Sequence, residues 1–299
     1  MVLFKENKIN FILRKRHLSL SELSAQMGLP ETEVAQILEK GKEEGDPSSL
    51  LPPFLQNERK VLWGCASVLV LVVAFFYLPV LENEFVNLDD TDTIMGNVQI
   101  RSLDWASLRW MFLSFKNGNW MPLTWLSFAL NYRMGGLDPR IFHITNVFFH
   151  ALNTVLVFLV CVRLMKRLPE TETTGGAYRP KAFGLPIAFL TALLFGLHPI
   201  HVESVAWATE RKDVLYASFY LGALWLYLGE PFPLGQKGFK SWACMGLYLL
   251  ALMSKPMAIT LPLVFLILDG WPLGRSGLGY MRLIREKAPS LFWPSEPFC

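Results

Sequence analysis

From Val61 to Leu81 the chain runs for 21 residues, VLWGCASVLVLVVAFFYLPVL, without a charged side chain. As a helix at 1.5 Å per residue this stretch reaches about 30 Å, the thickness of a bilayer's hydrocarbon core. Backbone groups in lipid must be satisfied within the segment, so such a run is confined to helix. Further apolar runs follow at Ile141–Val162, Ala182–Val202, Val214–Gly229 and Ser241–Leu268. Only 18% of the residues are charged, against about a quarter in soluble domains. The expected fold is an all-α, polytopic membrane helical bundle.

Ser241–Leu268 is interrupted by Lys255-Pro256. One helix would hold a lysine near the bilayer centre, at a cost of ~3 kcal/mol or more; two short helices would put Lys255 at their tip. The second arrangement gives about six spans with both termini cytoplasmic. It gathers Arg163, Lys166, Arg167, Arg179, Lys181, Lys237, Lys240, Arg275, Arg282, Arg285 and Lys287 on the inner side, as the positive-inside rule requires. The N-terminal MVLFKENKIN has no apolar core before a cleavage site, so the first span is expected to direct insertion itself. A bacterial inner membrane is the expected location.

Residues 1–45 differ in kind. LSLSELSAQMGLPETEVAQILEK reads as two short helices about a Gly turn, with Ser19 and Glu22 at capping-box spacing and Pro30 in the second first turn. The pattern is helix-turn-helix-like. A DNA reader needs donors on its second helix, and this one offers Glu31, Glu33 and Glu39. Packing on a partner or on its own chain is therefore favoured over DNA. Residues 46–60, with three prolines, read as a linker; 61–275 as the membrane domain, its long outer loop at 82–140; and 276–299 as a tail. Cys65, Cys161, Cys244 and Cys299 form no CxxC pair, which argues against a disulfide framework or a zinc site.

The chemistry-bearing residues cluster at the run ends. EFVNLDDTDT, directly after the first run, carries Asp89, Asp90 and Asp92. His143, Asn146 and His150 share one helical face, either a polar site or an interhelical hydrogen-bond network. HPIHVESVAWATERKDV supplies His198, His201, Glu203, Glu210, Arg211, Lys212 and Asp213. Two His and a Glu suggest a divalent metal, but HExxH spacing and thiols are lacking, so none is assigned. A structural turn and a polar substrate site remain the alternatives. Lys255, with no obvious local carboxylate, suits an anionic ligand or a snorkelling role. In the outer loop, LDWASLRWMFLSF sets Trp105, Leu108, Phe112 and Phe115 on one stripe, and Pro122–Arg133 looks like a second interfacial helix. If the outer segments converge, carboxylate beside cation suits a substrate with a phosphate at one end and a reacting hydroxyl at the other.

FVNLDD, NWMPLTWLS, GLDPRIFHITNVFFHALN, FGLHPIHVESVAW-x-x-ERKDVL and SKPMAITLPLVFLILDGWPL together resemble the membrane half of GT-C glycosyltransferases, in particular the transmembrane and tetratricopeptide-repeat O-mannosyltransferases and their bacterial relatives. The resemblance covers about residues 61–275, and the HPIHVESVAW-x-x-ERKD run is its most specific part. It implies transfer from a polyprenyl-phosphate sugar donor to a hydroxyl acceptor, in relatives often a protein Ser or Thr, on the extracytoplasmic side. It implies a catalytic base at Asp89, with Asp90 second. Arg211, Lys212 or Lys255 would hold the lipid phosphate, while His143, Asn146, His198, His201 and Glu203 shape the pocket. No cofactor is expected. Relatives carry further spans and repeats, and no 34-residue repeat is found here, so a shortened and inactive form is one expectation. A non-catalytic transporter-like protein or a membrane-tethered regulator is the alternative.

Overall fold

The computed structural model describes residues 30, 32, 58–116, 118–168, 180–229 and 238–287. The 1–45 module, the linker up to residue 57 and the tail beyond residue 287 lie outside that set, apart from Pro30 and Thr32. The chain divides into two compact units, Met1–Gly64 and Cys65–Cys299; the packing below is that of the second. Among the described residues all regular structure is helical, apart from an isolated bridge between Lys116 and Asn119.

Helix α1 (Glu58–Tyr77) opens on Glu58-Arg59-Lys60, carries most of the charge-free run and continues as a 3₁₀ turn to Glu82. The outer loop then folds rather than trails. It contains α2 (Trp105–Leu113), capped by Asp104 Oδ1 accepting from Ser107 N at 2.7 Å, and α3 (Pro122–Gly135), with Pro in its first turn. Asp138 caps α4 (Pro139–Arg167), whose last turn carries Lys166 and Arg167, cations placed where the helix dipole favours them. Then come α5 (Pro180–Leu197), a 3₁₀ turn Pro199–His201, the short α6 (Val202–Ala206), α7 (Arg211–Gly229), α8 (Phe239–Ser254), α9 (Leu261–Gly270) and α10 (Tyr280–Lys287). α8 stops at Lys255, whose backbone is extended before Pro256, as the residue preceding a proline prefers.

α4 is the central strut, packed on α5 and on α7, and α7 in turn on α8. α4 and α7 run side by side in the same direction. Asn146 of α4 meets Arg211 at one end, and Arg167 meets Leu228 O at the other. The turn after α8 and the start of α7 meet through Lys255 and Asp213. Three apolar cores result. One lies inside the outer loop (Ile94, Ile100, Met111, Trp125, Phe128) and closes on Phe142 of α4. A second joins α7, α8 and α9 through Tyr227, Tyr248 and Phe265. The third joins α1 to α4 and α7 through Val73, Tyr77, Ala151 and Val214.

Two sequence expectations are corrected. Among the described residues two helical stretches could cross a membrane by length and composition, Arg59–Glu82 and Pro139–Arg167. A third is added if Gly184–Leu197 and Pro199–Ala206, bent by 48°, count as one span. This is fewer than six. α8 and α9 have 16 and 10 residues, about 24 and 15 Å of helix, and α7 opens on Arg-Lys-Asp. Second, α3 turns its aromatic side chains into the protein: Trp125, Phe128 and Ala129 are buried. α2 keeps Trp105, Phe112 and Leu113 exposed. The difference lies in the partners, because α3 packs on α2, the Val98–Arg101 turn, α4, α7 and α8, while α2 packs on α3 and the Val98–Arg101 turn.

Candidate active site

Asp90 is where the outer loop is fastened. Its carboxylate is completely buried, with Oδ2 accepting from Val86 N at 2.9 Å. Oδ1 accepts from Thr209 N at 2.8 Å and from the Thr209 hydroxyl. Three donors fix the buried carboxylate in place. The bond draws the ERKD segment against the first acidic segment. Asp89, one residue earlier, is exposed and lines an adjoining cleft.

Between them opens a cleft of about 180 Å³ lined by Asp89, Thr93, Lys116, Asn119, Met121, Trp125, Thr209 and Lys212. Whole small-molecule pockets are usually ~300 Å³ or more, so this one fits a headgroup rather than an entire lipid. Lys212 Nζ lies 2.6 Å from Glu210 Oε1, and both side chains are mostly buried. Lys116 Nζ donates to Asp92 O at 2.5 Å. Burial pushes the Lys116 ammonium below its ordinary range, and the nearby Asp92 charge opposes that shift. The Trp125 indole N–H is buried and meets no acceptor among the described residues.

Beneath the cleft lies a layer of enclosed polar side chains. Arg211 has no exposure; it donates from Nε to Asn146 Oδ1, from Nη2 to Phe142 O at 2.7 Å and from Nη1 to Ser127 Oγ at 3.4 Å. Asn146 Nδ2 donates to Val205 O at 3.1 Å and Trp207 O at 2.9 Å. One Asn side chain thus ties α4 to the C-terminal end of α6 and to α7. His143 is fully buried against the backbone of Asn83 and Glu84.

The remaining sequence-derived candidates lie elsewhere. Lys255 pairs with Asp213, the residue after the cleft lysine Lys212, so it has the local carboxylate that the sequence did not reveal. His198 is exposed and caps its 3₁₀ turn by accepting from Ile200 N. His201 packs on Phe195, with ring centroids 4.4 Å apart, and faces His150 at 5.8 Å. Glu203 is exposed on α6. His198, His201, Glu203, His143, Asn146, Arg211 and Lys255 do not line the cleft. Among the described residues no cluster of three or more His, Cys, Asp or Glu could hold a metal. Sequence reasoning missed Lys116, Asn119 and Thr209. Lys116 and Asn119 flank a tight bridge in the middle of the loop, and neither carries a local pattern that separates it from linker.

Comparison with known proteins follows the same segments. The chain is 30% identical over 225 residues to the mouse protein O-mannosyl-transferase TMTC1, covering 69% of this chain and 22% of that protein. It is 30% identical over 229 residues to human TMTC4, covering 72% and 29%. It is 32% identical over 176 residues to Drosophila melanogaster Tmtc1, covering 56% and 18%. The chain therefore spans less than a third of the length of these curated relatives. No family model matches it, and no solved structure does.

Proposed function

We propose that this chain, similar over most of its length to part of the TMTC protein O-mannosyl-transferases, is a membrane glycosyltransferase. It would move a sugar from a polyprenyl-phosphate donor to a protein hydroxyl. The observation that carries the reading is the cleft itself, whose lining brings an exposed carboxylate, Asp89, together with two lysines drawn from distant segments. In the reaction an Asp89 oxygen takes the proton of the acceptor hydroxyl. The acceptor oxygen attacks the anomeric carbon, and the carbon–oxygen bond to phosphate breaks. The phosphate leaves with the bonding pair, its charge met by Lys212 and Lys116. Trp125 N–H is a further donor at the cleft wall, unmet by the protein. Asp90 is a positioning residue, since its oxygens are occupied by Val86 and Thr209. In this reading the cleft opens on the extracytoplasmic side, because Arg163, Lys166, Arg167, Arg282 and Arg285 belong to the opposite ends of the helices.

The test is transfer from a synthetic polyprenyl-phosphate mannose to a Ser/Thr peptide by the chain in lipid nanodiscs. Asp89→Asn is expected to lower the rate by about 10²–10⁴ without changing the melting temperature. Undiminished transfer by Asp89→Asn, or none by the wild-type chain, would sink the proposal.

A further inference from the structure

The ends of the helices opposite the cleft carry a second built feature. Asp269 is fully buried at the end of α9, and Tyr227 OH donates to its Oδ1 at 2.5 Å. Arg275 Nη1 donates to the same oxygen at 3.0 Å, and Lys287 Nζ to Oδ2 at 2.6 Å. Arg275 also reaches Glu286 Oε2 at 2.7 Å. Lys287 and Leu283, four residues apart on α10, are both buried. The network therefore pins one face of α10 to the ends of α7 and α9.

The other face of α10 is unpartnered among the described residues. Tyr280, Met281 and Ile284 are 64%, 70% and 46% exposed, and Trp271 beside the network is 65% exposed. Arg285 is exposed and makes no ion pair among the described residues, while Arg282 is exposed with a long 3.5 Å contact to Glu286. At the same end, the first turn of α8 exposes Phe239 and Trp242. Large apolar and aromatic side chains alternating with arginines at the ends of membrane-length helices match a headgroup layer: the rings sit at its depth and the guanidiniums meet phosphate.

We propose that α10 is an anionic-lipid docking helix. Held by the Asp269 network, it lies on the leaflet at the end of the bundle opposite the cleft and binds acidic phospholipid headgroups through Arg282 and Arg285. Charge complementarity and continuity with the lipid-facing spans select lipid over a protein partner. The inference rests on the membrane reading of the helices and not on sugar transfer, so its test needs no activity.

The full chain is placed in nanodiscs of phosphatidylcholine alone or mixed with phosphatidylglycerol, and amide hydrogen exchange is followed across 278–287. Phosphatidylglycerol is expected to slow exchange by about fivefold per arginine, the equivalent of about 1 kcal/mol each. Arg282→Gln with Arg285→Gln should erase the difference, and the Lys pair at those positions should keep it, with exchange in α7 unchanged throughout. Equal exchange in the two lipid compositions would overturn the proposal. So would full protection in neutral detergent, which would mean that protein covers the face.

Discussion

Arg211 shows how little of a side chain's role its charge reveals. It is completely enclosed, and its guanidinium is spent on an Asn oxygen, a backbone carbonyl and a Ser hydroxyl. Arg211→Ala would strand the Phe142 and Asn146 acceptors beside a void, at a cost of about 3 kcal/mol or more. Arg211→Met, which keeps most of the volume and removes the buried charge, should cost less. Thermal unfolding in detergent checks the order. Thr209→Val, which removes the hydroxyl from Asp90, should cost about 1.5–3 kcal/mol in the same assay. Lys116 supplies a pH test. Its ammonium loses its proton at lower pH than an ordinary lysine because it is partly buried, so anion binding in the cleft should weaken as the solution turns alkaline. Lys116→Arg should carry binding to higher pH, because a guanidinium stays charged. Titration with a polyprenyl phosphate across that range checks both.

At the scale of elements, the bundle is set by close approaches and by helix ends. A β-carbon built on Gly196 of α5 would stand 2.8 Å from Val73 Cγ2 of α1 and 3.0 Å from Thr154 Oγ1 of α4. His150 Nε2 meets Gly196 O at 2.9 Å in the same crossing. Gly196→Val is therefore expected to force α1, α4 and α5 apart and to cost about 1–3 kcal/mol, read as a lower melting temperature. The C-terminal carbonyls of α7 are met from α4, with Arg163 donating to Trp225 O and Arg167 to Leu228 O and Gly229 O. These arginines are more than positive-inside markers. Each supplies donors to the last turn that the helix cannot satisfy alone. Arg167→Gln should fray that turn, seen as faster amide exchange at residues 225–229.

For the whole molecule, the arrangement places two polar ends on one bundle. Cysteines introduced singly at Gly118 and Arg285 of a thiol-free variant should react with an impermeant reagent from opposite sides of a sealed vesicle. Labelling of both from one side would refute the arrangement. α7 packs on α4, and α8 and α9 pack on α7; helices this short are stabilised by such packing rather than by lipid alone.

The sequence by itself determined that this chain is helical and membrane-bound, because an uncharged run of bilayer length leaves its backbone no other solution. It also picked out the acidic segment after the first run and the ERKD segment, since charges at the mouths of apolar runs are costly enough to be conspicuous. The break at Lys255-Pro256 was legible for the same reason together with the proline rule. Only the tertiary structure decided what each charge does. Adjacent Asp89 and Asp90 are indistinguishable on paper, yet one faces the cleft and the other clasps Thr209. Arg211 and Lys212 separate in the same way, because consecutive residues of a helix point about 100° apart and so meet different surroundings. Partners drawn from remote segments, such as Lys116 for the cleft and Lys287 for Asp269, exist only once the helices have packed.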